Sequence, residues 1–382
     1  MQNDTLWLTI IGILIIGSIV GLLIAKRISP IVGMILIPSM GALLLGYHIG
    51  DLVSFFNSGL ERVINVVLMF IFAIIFFGIM SDSGLFKPLI KRLIILTRGN
   101  VVVVSIVTAL VGMFAPLDGA GATTFLLSIT ALLPLYKALN MNRYLLLLIL
   151  GLSAALMNMI PWGGPMARTA SVIKADNVNQ LWYGILPVQL IGFVLILVFA
   201  TFLGFREQQR IRKAVQAGEV TNLENLNINR MIAQYEHDQD INFPVRGRAK
   251  QHPSILWMNA ILTITIIAVM LLDIAPPEFA FMIGVALALI INFGDVDEQM
   301  NRLKAHAPNA LMMAAVIIAA GMFLGVLNET GMLKAIAVNF IKIIPDAVGP
   351  YIHIIVGIFG VPLDLLTSTD AYYLSLIHIS QP

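Results

Sequence analysis

The sequence predicts an all-α, multi-pass membrane protein made of two inverted-topology repeats, each with about five transmembrane helices and a re-entrant hairpin. Three observations lead there. Apolar runs of spanning length recur along the whole chain. Charged residues make up only 12% of the 382 and hydrophobic ones 59%, whereas soluble domains average about 25% charged. Polar, glycine and proline motifs of the first half return after about 247 residues.

Runs long enough for the hydrocarbon layer are Leu6–Ala25, Ile28–Tyr47, Val63–Met80, Tyr144–Ile160 and Leu181–Phe205, then Ser254–Ile274, Pro277–Phe293 and Asn309–Leu327. The first is a retained span and not a cleaved signal: Asp4 precedes it and Lys26-Arg27 follow it. Val101–Leu117 and Thr123–Leu139 are also apolar, joined by the small-residue break 118–122, and read as a hairpin over about 101–139. A last span-like stretch, Tyr351–Ile379, carries Pro362 and Asp364 in its middle.

The domains follow: a first membrane repeat over 1–205, a hydrophilic linker over 206–253 and a second membrane repeat over 254–382. Lysine and arginine collect in cytoplasmic loops. Lys26-Arg27, the four basic residues of loop 81–99 and the basic linker then lie inside, with the N-terminus and loop 48–62 outside. This is the topology of a cell-membrane protein, in the inner or plasma membrane. The net charge of +2 suggests no nucleic-acid partner, and the absence of cysteine removes disulfides and thiolate sites. His237, Asp238 and Asp240 in the polar linker read as an accidental grouping rather than a metal site.

In the repeat, 82–87 (DSGLFK) aligns with 329–334 (ETGMLK), Pro116-Leu117-Asp118 with Pro362-Leu363-Asp364, and Thr123-Thr124 with Thr369-Asp370. Five crossings precede the second copy, so it enters the membrane inverted. An inverted repeat with a broken apolar segment in each half is the pattern of a secondary transporter. The partner of residues 139–205 would fall beyond position 382, so the second repeat is expected to be incomplete here. The tail 374–382 departs from what the first copy leads one to expect.

Irregular main chain at membrane depth survives only where protein or water satisfies it. The break Asp118, Gly119, Ala120, Gly121, Ala122 precedes a helix starting at Thr123-Thr124, whose positive end favours an anion. Thr367, Ser368, Thr369 and Asp370 form the corresponding break. A third break, Ile160-Pro161-Trp162-Gly163-Gly164-Pro165, unwinds the end of an apolar helix, and Arg168 just beyond it could grip a carboxylate. Asp118, Asp364 and Asp370 are carboxylates in apolar surroundings, candidates for proton coupling, with Asp118 and Asp370 also candidate metal ligands. Asp82 and Glu329, each two positions before a glycine at a span end, read as helix N-caps. No nucleophile–base pair, P-loop or zinc motif is present, so the chain is not expected to be an enzyme or a nucleotide-driven pump.

Several segments carry a family resemblance: 77–86 (FGIMSDSGLF), Leu117-Asp118-Gly119 with Thr123-Thr124, Leu133-Pro134-Leu135-Tyr136-Lys137 with Met141-Asn142-Arg143, 158–165 (NMIPWGGP), and Ser368-Thr369-Asp370-Ala371-Tyr372. Together they resemble the CitMHS family, whose members carry citrate complexed with a divalent metal in symport with protons, within a wider group similar to the sodium–dicarboxylate symporters. The resemblance implies a scaffold, a mobile transport part and two opposed hairpins. Their tips would be Asp118–Thr124 and Thr367–Asp370, and the unwound helix Gly163–Pro165. It also implies citrate–metal complex and protons as partners, a metal of the Mg²⁺ or Ca²⁺ class travelling with the cargo rather than resident, and a homodimer. The alternative on the same fold is a sodium- or proton-coupled carrier of another carboxylate, such as a dicarboxylate, gluconate or lactate.

Overall fold

In a bilayer the main chain must satisfy its own polar groups, and helices do so within one segment. The computed structural model describes residues 2–97, 99–114, 122–173, 178–217, 245–250, 252 and 254–343, with single positions at 351, 354, 357 and 358. Among them there is no strand.

The helices are α1 (Gln2–Ile24), α2 (Pro30–Leu44), α3 (Ile49–Asp82), α4 (Lys87–Thr97), α5 (Val101–Phe114), α6 (Ala122–Ala138), α7 (Arg143–Met157), α8 (Gly164–Ile173) and α9 (Val178–Gln216). After a short 3₁₀ turn, Gly247–Lys250, come α10 (Ser254–Leu271), α11 (Pro277–Asn292), α12 (Val296–Glu329) and α13 (Met332–Ile343). Five of them, α1, α3, α9, α10 and α12, are long and apolar enough to cross a membrane.

The order of α1–α4 recurs in α10–α13, and α3 and α12 are each 34 residues long. The ends recur too. Lys26 after α1 and Asp273 after α10 both have φ near +53°; Gly84 after α3 and Gly331 after α12 have φ near +77°. In three of these ends the N–H beyond the left-handed residue reaches back to the last helical turn: Arg27 to Leu22, Leu85 to Met80 and Ile274 to Val269. That closure satisfies carbonyls that a helix end otherwise leaves open.

Several boundaries differ from the sequence reading: the loop read over 81–99 contains α4, and α12 begins at Val296, well before its apolar run Asn309–Leu327. Residues 49–62, read as a loop, form the first part of α3, because Asp51 accepts a hydrogen bond from the His48 amide (2.8 Å) and starts the helix well before its apolar run. Likewise α9 continues to Gln216, past the hydrophobic run that ends at Phe205. Hydropathy reports only the apolar part of such a helix.

The chain forms two compact units, and α3 and α12 contribute to both. One holds residues 1–68, 165–178 and the chain from 311 onward. Its core joins Ile15 and Ile19 of α1, Met34 of α2 and Phe323, Leu324 and Leu327 of α12. Here α3 and α12 meet backbone to backbone. A Cβ on Gly59 would stand 2.0 Å from the Gly321 carbonyl oxygen, and one on Gly325 would stand 2.1 Å from that of Phe55. Asn339 of α13 donates to Thr9 Oγ1 of α1 at 2.8 Å.

The other unit holds residues 69–164 and 179–310. Gly112 lets α5 lie against Ser153 and Leu150 of α7. The Thr108 and Tyr136 hydroxyls, 2.9 Å apart and buried, tie α5 to α6. Glu207 of α9 accepts from the Asn142 amide at 2.6 Å and from Arg210, fixing the turn between α6 and α7. Asn259 of α10 and Asn292 of α11 exchange two side-chain hydrogen bonds of 2.8 and 2.9 Å.

Exposure separates the long helices. Two-thirds of the apolar window is buried in α3 and α12 (67% each), against 11% in α9. Val194, Leu195, Val198 and Phe202 of α9 are open; in a bilayer such residues face lipid.

Substituting Gly59 or Gly325 with alanine should cost about 1–3 kcal/mol, because the new methyl meets main chain that cannot rotate away. Gly17→Ala, where nothing lies within 4 Å, should be neutral or stabilising by up to about 1 kcal/mol. Thermal unfolding of the three purified variants in detergent checks the contrast.

Candidate functional site

α7 starts at Asn142, whose side chain accepts from the Tyr144 amide (2.9 Å), and its last turn closes with the Asn158 amide on the Ala154 carbonyl (2.9 Å). It cannot continue, since Pro161 has no N–H to give. The chain then makes a buried turn through Ile160, Pro161, Trp162, Gly163 and Gly164, closed by the Gly163 amide on the Ile160 carbonyl (2.8 Å). A Cβ at Gly163 would stand 2.0 Å from the Asn158 carbonyl oxygen and 3.0 Å from that of Ile160. Only glycine fits there, and the two carbonyls converge beneath it.

α8 begins directly at Gly164, with Pro165 in its first turn. The first amides of a helix have no partner within it and carry the positive end of its dipole. So within a few residues the chain passes from carbonyl oxygens in the turn to the amides of a helix start.

An aromatic cluster holds the turn. Trp162, 3% exposed, stacks on Phe77 of α3 (centroids 5.7 Å apart, planes at 16°) and meets Phe281 of α11 edge-on at 5.8 Å. The sequence motifs around Phe77 and Trp162 thus touch in space.

Of the other site residues read from the sequence, Thr123 and Thr124 lie in the first turn of α6, which begins at Ala122, one residue earlier than the sequence reading put it. The main chain of Arg168 is part of α8. Asp118, Gly119, Gly121, Asp364, Thr367, Ser368, Thr369 and Asp370 lie outside the described residues, as do His237, Asp238 and Asp240. Among the described residues no three histidine, aspartate or glutamate side chains group to hold a metal ion.

Asp82 and Glu329 require a correction. They are not N-caps: each is the last residue of its helix, where the dipole disfavours an anion. Cations offset this. Asp82 Oδ2 accepts from His306 Nε2 at 2.9 Å and from Arg302 Nη1 at 3.4 Å. Glu329 Oε1 accepts from Arg62 Nη2 at 3.0 Å and from Ser58 Oγ at 2.8 Å. The sequence reading passed over His306, Arg302 and Arg62. The four-residue spacing of Arg302 and His306, which puts both on one helix face, was the signal available.

Comparison with known proteins gives one consistent result. The sequence model of the CitMHS family, described as citrate transporter, matches residues 6–381. A citrate transporter of Bacillus subtilis (strain 168) is 33% identical over 372 residues, covering 97% of this chain and 82% of the relative. The uncharacterized transporter YraO of the same organism is 33% identical over 375 residues, with the same coverage. Its Mg(2+)/citrate complex secondary transporter is 30% identical over 372 residues, again covering 97% and 82%.

Gly163→Ala should force the turn open and cost about 1–3 kcal/mol, with a larger loss of transport than of expression. Surface expression and uptake measured on the same cells check this.

Proposed function

Because the chain belongs to the citrate transporter family, we propose that it imports citrate as a complex with a divalent metal ion, in symport with protons. The protein is a multi-pass membrane protein and a transporter, not an enzyme. The name of the Mg(2+)/citrate relative supports a metal complex as cargo. So does electrostatics. Free citrate near neutral pH is close to a trianion, and a bound divalent ion leaves about one negative charge, which is far cheaper to desolvate. Co-transported protons make the load neutral or positive, so the membrane potential assists entry by about 2.3 kcal/mol per charge per 100 mV.

The observation that carries this reading is the buried Ile160–Gly164 turn, where the Asn158 and Ile160 carbonyls crowd Gly163 and the chain leaves the helix inside protein. Gly163, Gly164 and Pro165 would line one side of the substrate site, with Arg168 as a carboxylate partner. The start of α6 at Thr123 and Thr124, with Gly119 and Gly121, would supply a hairpin tip, and Thr367, Ser368 and Thr369 its counterpart. In this reading Asp118 and Asp370 ligate the metal, and Asp118, Asp364 and Asp370 take part in proton coupling. The recurrence of α1–α4 as α10–α13, with matched helix ends, supports two inverted repeats. The same reading puts the N-terminus outside and residues 206–253 in the cytoplasm.

The test is uptake of labelled citrate by cells expressing the protein, with Mg²⁺, Ca²⁺, Zn²⁺ or a chelator, with and without a protonophore. Uptake is expected to require a divalent metal and to collapse with the protonophore. Uptake indifferent to the chelator and dependent on sodium would overturn the metal-complex and proton readings together.

A further inference from the structure

We propose that His306, hydrogen-bonded to Asp82 and steadied by Arg302, is a proton-binding site whose occupancy is linked to transport. The proposal rests on the reading of the chain as a citrate transporter and does not need proton symport to be correct.

Histidine is the side chain whose ordinary titration spans neutral pH. Among the described residues, His306 is the one histidine inside a helix of membrane-spanning length. Its ring lies directly on the backbone of α3: a Cβ at Gly78 would stand 2.5 Å from His306 Nδ1. Gly78 and Asp82 are one helical turn apart, so the same face of α3 offers the ring a flat seat and then a carboxylate.

That geometry fixes the tautomer. An ionised carboxylate only accepts hydrogen bonds, so the proton of neutral His306 sits on Nε2, toward Asp82 Oδ2 at 2.9 Å. Nδ1, over Gly78, is the nitrogen that gains the second proton. The side chain is 19% exposed.

Asp82 with Arg302 and a neutral imidazole sum to zero, and a second proton on the ring makes the trio cationic. Three further cations belong to the adjoining segments. Arg246, whose amide donates to the Asp82 carbonyl at 2.8 Å, has an exposed side chain, and Lys87 lies half-buried just beyond Gly84. Lys304, on α12 itself, is exposed. The corresponding carboxylate, Glu329, instead takes an arginine and a serine, a fixed cation and a hydroxyl. The two helix ends are alike in holding an anion by an arginine and differ in the titratable partner.

The test is citrate exchange in proteoliposomes with equal pH on both faces, so that no gradient drives it. Wild-type exchange should change on the order of threefold between about pH 6 and pH 8, the range in which imidazoles titrate. His306→Gln, which keeps a donor toward Asp82, should exchange at a rate nearly flat across that range. Glu329→Gln should lower the rate and keep the wild-type profile. Gly78→Ala, which pushes the ring away without removing a titratable group, should displace the profile. Histidine-labelled protein gives a readout independent of activity. The imidazole carbon resonance absent from His306→Gln should move with pH, along a different curve in Asp82→Asn. A His306→Gln profile that matches wild type, or a resonance that stays fixed through this range, overturns the proposal. Loss of wild-type exchange with a titrating resonance would sink the transporter reading while keeping the proton site. Protonophore-insensitive uptake with a His306-dependent profile would sink symport alone.

Discussion

Every polar group that enters the hydrocarbon layer has to find its partner within the protein, and the architecture follows from that requirement. The main chain meets it by running as helices. Hydroxyl side chains meet it by returning to the carbonyl one turn earlier: Ser39 to Ile35, Thr108 to Val104, Ser153 to Ile149, Thr201 to Leu197 and Thr263 to Asn259. The amides of Asn259 and Asn292 pair with each other, and Asn292 Nδ2 also donates to the Ala288 carbonyl one turn earlier. Where the chain leaves the helix, at Ile160–Gly164, it does so inside protein, packed under Trp162. An irregular stretch kept at such a depth is where the main chain itself can serve as a ligand, and this puts the candidate site there rather than on an exposed loop.

Much of this was legible in the sequence because the signals are local. A Pro-Trp-Gly-Gly-Pro string ends a helix wherever it occurs, so the break after α7 needed no knowledge of neighbours. Hydropathy located the apolar stretches for the same reason. It failed at the beginning of α3 and the end of α9, where the helix outruns its apolar part and only Asp51 or a run of charged helix formers tells the chain to continue. Gly59, Gly321 and Gly325 were visible as small residues, but their role depends on a backbone more than 250 positions away. Separations of 220 to 271 positions likewise hid the partners of Asp82 and Glu329. A carboxylate beside a glycine suits a helix start, and the local pattern does not reveal that the helix is ending and a distant arginine waits.

The groups proposed for the site are of two kinds. Main-chain dipoles, as at the turn Ile160–Gly164, cannot titrate. The acids read from the sequence at 118, 364 and 370 are side chains of a type that can change charge. In the proposed reading the dipoles would hold the load without reorganisation, and groups that gain and lose protons would tie its passage to the medium. Holding the turn through Trp162, Phe77 and Phe281 also links it physically to the stretch of α3 that ends at Asp82.

The pairing of Arg62 with Glu329 bears on how the protein is made. The two residues are separated by 267 positions, so at ribosomal speeds of about 5–20 residues per second roughly ten to fifty seconds pass between their syntheses. During that interval Arg62 is already part of a nascent segment while its carboxylate does not yet exist. A charged side chain on an inserting helix is costly at the bilayer centre and tolerable near the headgroups, so the first half of α3 is held at the membrane boundary, with lipid phosphate or water as temporary company. The glycine seam at Gly59 is likewise unfilled until Gly321 and Gly325 emerge. Assembly of this unit is therefore completed only with the second half of the chain, and the seam face of α3 stays open to lipid until it arrives.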